Sequence, residues 1–414
     1  MREGKPFEAA LDRILGDLPE ADRRLAHELA AGVLRHRTVL DRQLAPLVPR
    51  GWTRVGPDLQ DILRLGAYQL TELERVPAHA AVDTSVALAK DTGGNRVAGF
   101  VNAVLRGLTR ASPGPPSPAE HLPAGLAQAY SHPVWLVKRW VGLFGPQQAE
   151  ALLRWNNQRP RLVVQAARES LETLRDRWQA AGIQVESAPQ GAGLVPRVAR
   201  PDALPGYDDG HFIVQDPAQA LLARVVDPPE DSFVYDACAA PGGKTIALGR
   251  RTRVLAGEIS RQRSRRLAQN LRRAGSAREH VVVADARHPP VRTARVVLLD
   301  APCLGTGTFA RHPEARWRAS PAALDHLVRL QAQLLDSLAT IVAPGGTLVY
   351  STCSLEPEEN LLQVESFLRR HPAFHREPPA EVSPSLLSAE GDLQILPQIH
   401  GMDGAFAARL RRRQ

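Results

Sequence analysis

The stretch Asp236-Ala-Cys-Ala-Ala-Pro-Gly-Gly-Lys-Thr245 decides the fold. It lies between Phe233-Val234-Tyr235, patterned as a buried strand, and Ile246-Ala-Leu-Gly-Arg250, which can open a helix. Gly242 and Gly243 therefore sit at a strand-to-helix turn, where glycine lets another molecule approach the backbone closely. A Gly-Gly pair alone is equally consistent with a plain βα connection. A phosphate-binding loop is the first rival, since Gly243-Lys244-Thr245 matches the end of G-x-x-x-x-G-K-[ST], but Cys238 stands where that pattern needs its first glycine. The dinucleotide pattern G-x-G-x-x-G is absent. What remains is an α/β nucleotide-type site whose first strand ends in an acid, Asp236.

Around this stretch, from about residue 211, strands and helices alternate as in a mostly parallel sheet covered on both faces. The second strand, Arg253 to Gly257, ends at Glu258; the third, His280 to Ala284, at Asp285; the fourth, Ala294 to Leu299, at Asp300. The fifth, Gly346 to Tyr350, runs into Ser351-Thr-Cys353. An acid or thiol thus follows every strand, at the end where open α/β sheets hold their ligands. One such acid is usually a helix cap; four in succession are hard to explain by capping.

Towards the amino terminus, residues 1 to about 110 carry apolar residues at helical spacing over Phe7 to Leu15, Ala21 to Leu40, Pro57 to Glu74, Ala80 to Lys90 and Arg96 to Arg110. Arg23, Arg24, Arg35, Arg37 and Arg42 cluster early in this bundle and are candidates either to line an RNA backbone or to form a solvated face. Ser112-Pro-Gly-Pro-Pro-Ser-Pro118 reads as a linker. Two helices follow within Pro133 to Asn157, with Trp135, Trp140 and Trp155 read as core residues. Arg161 to Gln165, Ser170 to Ala181 and Ile183 to Ser187 read as strand, helix and strand, part of a small RNA-reading sheet or a lid. The expected domains are a helical RNA-binding domain (1–112), a linker (113–119), a small α+β subdomain (120–210) and a catalytic α/β domain (211–414).

The chain has 414 residues, formal net charge +8 and pI near 9.9, a balance that favours a polyanionic partner such as RNA. Its opening residues are charged and no apolar run approaches bilayer length, so a cytoplasmic chain without membrane contact is expected. Cys238, Cys303 and Cys353 have neither disulfide-framework nor zinc-ligand spacing. Of 52 basic side chains only Lys5, Lys90, Lys138 and Lys244 are lysine. A lysine inside the glycine turn of so arginine-rich a chain suggests that a compact ammonium is wanted there.

Glu258 lies 22 positions after Asp236, near the spacing at which nucleotide folds set an acid on ribose hydroxyls. Asp285 is placed to accept from an adenine amine, and without a phosphate fingerprint S-adenosyl-methionine fits better than a dinucleotide. Asp300-Ala-Pro-Cys303 and Ser351-Thr-Cys353 then hold the methyl acceptor. Two thiols beside an acid suit methylation at carbon 5 of a pyrimidine: thiolate addition at carbon 6 makes carbon 5 enamine-like, and an acid at nitrogen 3 stabilises the developing charge. Chemistry alone permits either Cys303 or Cys353 as the nucleophile.

These motifs, with Gly305-Thr-Gly307, Ser354 and Glu358-Glu-Asn360, resemble those of the Nop2/Sun family of RNA cytosine-C5 methyltransferases. Leu25-Ala-His-Glu-Leu29, Gly32-Val-Leu-Arg-His36, Val76-Pro-Ala-His79 and Val101-Asn-Ala-Val-Leu-Arg106 resemble the NusB-like domain of its bacterial Sun/RsmB branch, which modifies small-subunit ribosomal RNA. The resemblance implies a NusB-like bundle, a small α+β subdomain and a Rossmann-like class I methyltransferase domain, acting as a monomer on 16S RNA, naked or in a small-subunit assembly intermediate. It implies Cys353 as nucleophile, Cys303 as the thiol assisting product release, and Asp300 at the cytosine edge with Lys244 nearby. It further implies that Glu258 and Asp285 hold the adenosine, and that Cys238, Ala239, Ala240, Pro241, Gly242, Gly243 and Lys244 surround the methionine half, Asp300 adjoining the cofactor. Glu258 replaces the family's usual aspartate. Gly305 to Arg318, with Arg311, Arg316, Trp317 and Arg318, resembles a basic stretch that contacts RNA, and Met402-Asp-Gly404 through Arg409 resembles the closing strand. A magnesium-ATP site at Gly243-Lys244-Thr245 and a non-catalytic RNA chaperone are the readings from other classes.

Overall fold

The computed structural model describes residues 11, 14, 15, 18–111, 122–198, 200–275 and 278–414. They form two compact units, Met1–Gln158 with Phe309–Arg318 and Arg159–Thr308 with Ala319–Gln414. The linker expected at 113–119 and most of the helix expected from Phe7 lie outside the described residues.

In the first unit, helices Glu20–Leu44, Pro57–Glu72 and Ala78–Ala111 bury Leu40, Leu44, Leu63, Ala67, Val101 and Leu105 in one core. The last helix is broken at Gly93 and Gly94, where the sequence separates two apolar periodicities. Arg64 donates to Asp41 through Nε at 2.6 Å and Nη2 at 2.8 Å, a bidentate pair linking the first two helices. Helices Pro123–Ala129, Val134–Phe144 and Pro146–Asn157 pack within this unit. Trp140 is fully buried, while Trp135 and Trp155 are half-buried.

Two expected RNA contacts here are internal instead. Arg35 is buried, its Nη2 donating to the carbonyl of Ala310 at 3.0 Å. Arg316 is fully buried and donates to the carbonyls of Ser131 and Asn156 and, at 2.7 Å, to Asn157 Oδ1. Burial, with repulsion from Arg35, lowers its pKa to about 9, still cationic at neutral pH. Trp317 Nε1 donates to the Leu34 carbonyl at 2.8 Å, and Arg37 lies over the Trp317 ring. Arg23, Arg24 and Arg42 remain exposed.

The second unit begins with a four-stranded antiparallel sheet of β1 (Val164–Ala166), β2 (Val185–Ser187), β3 (Leu194–Pro196) and β4 (Phe212–Val214), in the order β2-β3-β1-β4. The strand β4, assigned from sequence to the head of the catalytic domain, pairs with β1. Trp178, on helix Leu171–Ala180, meets Phe212 edge to face, ring centres 5.2 Å apart, and both are fully buried. These aromatics hold the core and offer no face to a base.

The larger sheet contains β5 (Phe233–Asp236), β6 (Arg253–Glu258), β7 (Glu279–Val283), β8 (Ala294–Asp300), β9 (Val342–Thr352), β10 (Phe374–Arg376), β11 (Leu393–Ile395) and β12 (Ala405–Arg412). Its order is β10-β12-β9-β8-β5-β6-β7, with β11 also on β12; β5 to β9 are parallel, and β12 lies antiparallel to β9 as the closing strand. Alternation along β8 sends Val297 and Leu299 toward Leu335 and Leu338 of helix Pro321–Ile341, and Val296 and Leu298 toward Leu221 and Leu222 of helix Pro217–Val226. The chain leaves β5 for β6 on one side and returns at β8 on the other. This reversal opens a crevice at the carboxyl ends of the strands.

Removing the guanidinium in Arg316→Ala leaves buried acceptors unpaired and a cavity, at a cost of about 3 kcal/mol. Denaturant unfolding monitored in the helical unit is expected to show a lower midpoint; an unchanged midpoint contradicts the assignment of Arg316 as an internal tie.

Candidate active site

A cleft of about 620 Å³ at these strand ends is lined by Cys238, Glu258, Asp285, Asp300, Cys303 and Cys353, among others. That volume suits a nucleoside-sized ligand. Of the seven loop residues expected around the methionine half, Cys238 and Ala240 line the cleft and five do not. Ala240 lines the cleft; Ala239 does not, packing against Ile246 and Leu267. Pro241, Gly242, Gly243 and Lys244 are also absent from the cleft wall.

The glycine pair serves internal contacts. Gly242 has φ +110°, and a Cβ there would stand 2.7 Å from Leu267 Cδ1. On Gly243 a Cβ would stand 2.5 Å from Gln215 Nε2. Small size at both positions lets the helix Gly243–Gly249 seat closely. The loop itself is held by Arg263, donating to the Ala240 carbonyl at 2.9 Å, and Asn270, donating to the Pro241 carbonyl at 2.8 Å.

Lys244 Nζ donates to Asp300 Oδ2 at 2.7 Å and to Gln219 Oε1. The other oxygen of Asp300 accepts from Ser351 Oγ at 2.9 Å. The ammonium thus orients the acid. Asp236 is fully enclosed and accepts from Thr245 Oγ1 at 2.7 Å. Burial raises its pKa to about 7, against the lowering effect of that hydrogen bond.

On the cofactor side, Glu258 is 2% exposed, accepting from the Ser260 N–H at 2.9 Å and lying 3.4 Å from Arg263 Nη2. Its extra methylene relative to aspartate carries the carboxylate to the Ser260 turn, and each oxygen retains acceptor capacity for a ribose hydroxyl. Asp285 accepts from Arg287 through its N–H and guanidinium, and those bonds hold its carboxyl below the usual range. Ile259 also lines the cleft and is 61% exposed, an apolar platform beside Glu258 suited to an adenine ring. The buried acid, the acceptor beyond it and this platform fit S-adenosyl-methionine.

On the acceptor side, Cys303 Sγ and Cys353 Sγ are 3.4 Å apart. Hydrogen bonding to Cys353, then burial, raises the Cys303 pKa well above its ordinary value. Cys238 is pushed up to about 12, by burial and then by Asp236, and is unsuited to act as a thiolate. The Cys353 turn is clamped: Gly307 N–H donates to the Cys353 carbonyl at 3.0 Å and Gly404 N–H to the Gly307 carbonyl at 2.8 Å. A Cβ on Gly307 would be 2.6 Å from Gly404 Cα. Glu359 accepts from the Leu304 N–H at 3.0 Å and Gln331 Nε2 at 2.9 Å, fixing the loop after Cys303.

Sequence reading assigned no role to Ile259, Gln219, Arg263 or Gln331. Ile259 was discoverable as an apolar residue following the ribose acid; the others come from separate helices, without a local motif to mark them.

Models of known families match three segments: "16S rRNA methyltransferase RsmB/F" over residues 223–411, the NusB family over 1–110, and the RsmF/B-like ferredoxin-like domain over 132–196. The chain is 36% identical to the probable ribosomal RNA small subunit methyltransferase B of Synechocystis, over 98% of this chain and 95% of that protein. With the probable methyltransferase B of Bacillus subtilis the identity is 32%, covering 96% and 92% respectively. Among solved structures, PH0851 matches with TM-score 0.83 and 26% identity over 99% of this chain and 96% of that one. NSun6 from Pyrococcus horikoshii with SFG shares the fold at TM-score 0.59 and 20% identity, over 67% and 97%.

Calorimetry should show Glu258→Ala losing about 1.5 to 3 kcal/mol of S-adenosyl-methionine affinity, roughly tenfold or more. Unchanged affinity removes Glu258 from the cofactor site, and uptake of magnesium-ATP in place of S-adenosyl-methionine by the unaltered protein overturns the assignment.

Proposed function

The chain belongs to the 16S rRNA methyltransferase RsmB/F family, and on that premise we propose that it methylates carbon 5 of a cytosine in small-subunit ribosomal RNA through a covalent adduct on Cys353. It is an S-adenosyl-methionine-dependent small-subunit rRNA methyltransferase. The observation carrying the finer reading is the pair of sulfurs 3.4 Å apart in the same cleft as Asp300.

In this reading the two sulfurs take different roles. Hydrogen bonding to Cys353 and burial raise the Cys303 pKa, and the Cys303 S–H can donate to Cys353 Sγ. Attack by Cys353 Sγ at carbon 6 forms the C–S bond and pushes electron density to carbon 5, while Asp300, oriented by Lys244 and Ser351, meets the ring's nitrogen edge. Bound S-adenosyl-methionine supplies an electrophilic methyl on sulfonium, which carbon 5 takes with loss of a neutral thioether. With Cys353 held in the adduct, Cys303 gives its proton to solvent. Its thiolate then takes the carbon 5 proton, the C–H electrons re-form the C5–C6 double bond, and the C–S electron pair returns to Cys353 as its thiolate.

We further propose that the protein meets its RNA as a monomer, naked or within a small-subunit assembly intermediate, in the cytoplasm. Among the described residues no helix is long and apolar enough to cross a membrane.

Bisulfite mapping of small-subunit RNA from a strain lacking the protein should show one cytosine losing protection. Cys353→Ala should restore neither methylation nor a covalent complex. Cys303→Ala should still attack but release slowly, accumulating protein–RNA complex on a denaturing gel. The reverse pattern exchanges the two roles, and an unchanged bisulfite profile refutes cytosine-C5 methylation.

A further inference from the structure

The helix Arg261–Arg273 carries Arg261, Arg263, Arg265, Arg266, Arg272 and Arg273 and no acidic residue. Ser264, Leu267 and Leu271 are buried at three- and four-residue spacing and fix its inward face. At 3.6 residues per turn, Arg261, Arg265 and Arg272 line up along one flank outside this buried stripe and Arg266 lies on the other. All four are exposed. Among the described residues Arg272 donates to the Ala268 carbonyl of its own helix and to no acid. No acidic side chain bonds to Arg261, Arg265 or Arg266 among the described residues.

Local stability does not account for this face. Arg261 and Arg263 occupy the first turn, where the helix dipole favours acids, and no acid stands there. Arg261 with Arg265, four apart, and Arg263 with Arg266, three apart, are like-charge pairs that weaken a helix. An anionic surface laid along the helix relieves both effects. From Arg261 to Arg272 the axis runs about 16 Å, room for several charges at about 3.4 Å per phosphate of a strand. Guanidinium groups also match phosphate oxygens in a bidentate geometry.

The same helix carries the cofactor loop. Arg263 and Asn270 hold the carbonyls of Ala240 and Pro241, and Leu267 abuts Gly242. A phosphate row seated on its outer face therefore lies one helix away from the methyl-transfer cleft.

We propose that the outer face of Arg261–Arg273 is a docking surface for the phosphate backbone of the ribosomal RNA substrate, positioning the RNA without reading bases. This rests on the rRNA methylation reading above. The test combines Arg261→Gln, Arg265→Gln, Arg266→Gln and Arg272→Gln in the full chain, since glutamine keeps nearly the helix propensity of arginine. Fluorescence anisotropy with a small-subunit rRNA transcript, across about 50 to 200 mM salt, should show affinity lowered about tenfold or more and the log–log salt slope reduced by about 2 to 3 units. Calorimetric S-adenosyl-methionine affinity should be unchanged and KM for RNA raised, with kcat at saturating RNA retained. Unchanged RNA affinity and slope overturn the proposal. So does a parallel loss of S-adenosyl-methionine affinity, which would make the face a support of the cofactor loop. Methylation of the transcript by the unaltered protein is measured alongside: its failure sinks the cytosine reading, whereas its success with variant binding like the unaltered protein sinks only the docking surface.

Discussion

The hydrogen bond from Lys244 to Asp300 is the constraint on which the catalytic cleft depends. It ties the first turn of the helix Gly243–Gly249 to the end of β8, and Asp300 passes the tie to β9 through Ser351. Three strand ends, each fixed by its own ladder, thereby become one wall. A lysine so enclosed needs a carboxylate partner, and the partner it finds is the acid beside the acceptor thiols. Replacing either group would leave the other enclosed without its counter-charge, so the orientation of the acid and the closure of the crevice share one cause.

The sheet was legible because its signals are local. Each parallel strand is a short apolar run ended by Asp236, Glu258, an Asp285 turn, Asp300 or Cys353, and the sheet sets these ends side by side in the order Cys353, Asp300, Asp236, Glu258, Asp285. The Gly242-Gly243 turn was legible as a turn, though its packing was not. Its close contacts are with Leu267 and Gln215, residues whose approach depends on the assembled fold. The partner of the strand at residues 212–214 was hidden for a similar reason. Phe212–Val214 has a strand's composition, and only pairing with Val164–Ala166 decides which sheet it joins.

Arginine was the hardest residue to read in this chain. Composition marks 48 of them without separating their tasks. Arg316 is enclosed by carbonyls from Ser131 and Asn156, more than a hundred positions away in sequence, and no local pattern announces such a burial. Arg64 is partnered by Asp41 across two helices. The arginines of Arg261–Arg273 instead leave their outer face to solvent while their helix supports the cofactor loop. Counting basic residues thus indicates a polyanionic partner but cannot separate internal ties from a surface; burial and hydrogen-bond partners can.

The division of labour between the two thiols is the central claim, and one chemical trap tests it directly. A small-subunit rRNA transcript carrying 5-fluorocytidine allows attack and methyl transfer but withholds the proton needed for release, so the unaltered protein should remain attached to its RNA. Nuclease digestion, proteolysis and mass spectrometry then locate the attachment. The account predicts a methylated nucleotide on the peptide containing Cys353, with Cys303 free; attachment at Cys303 would contradict it.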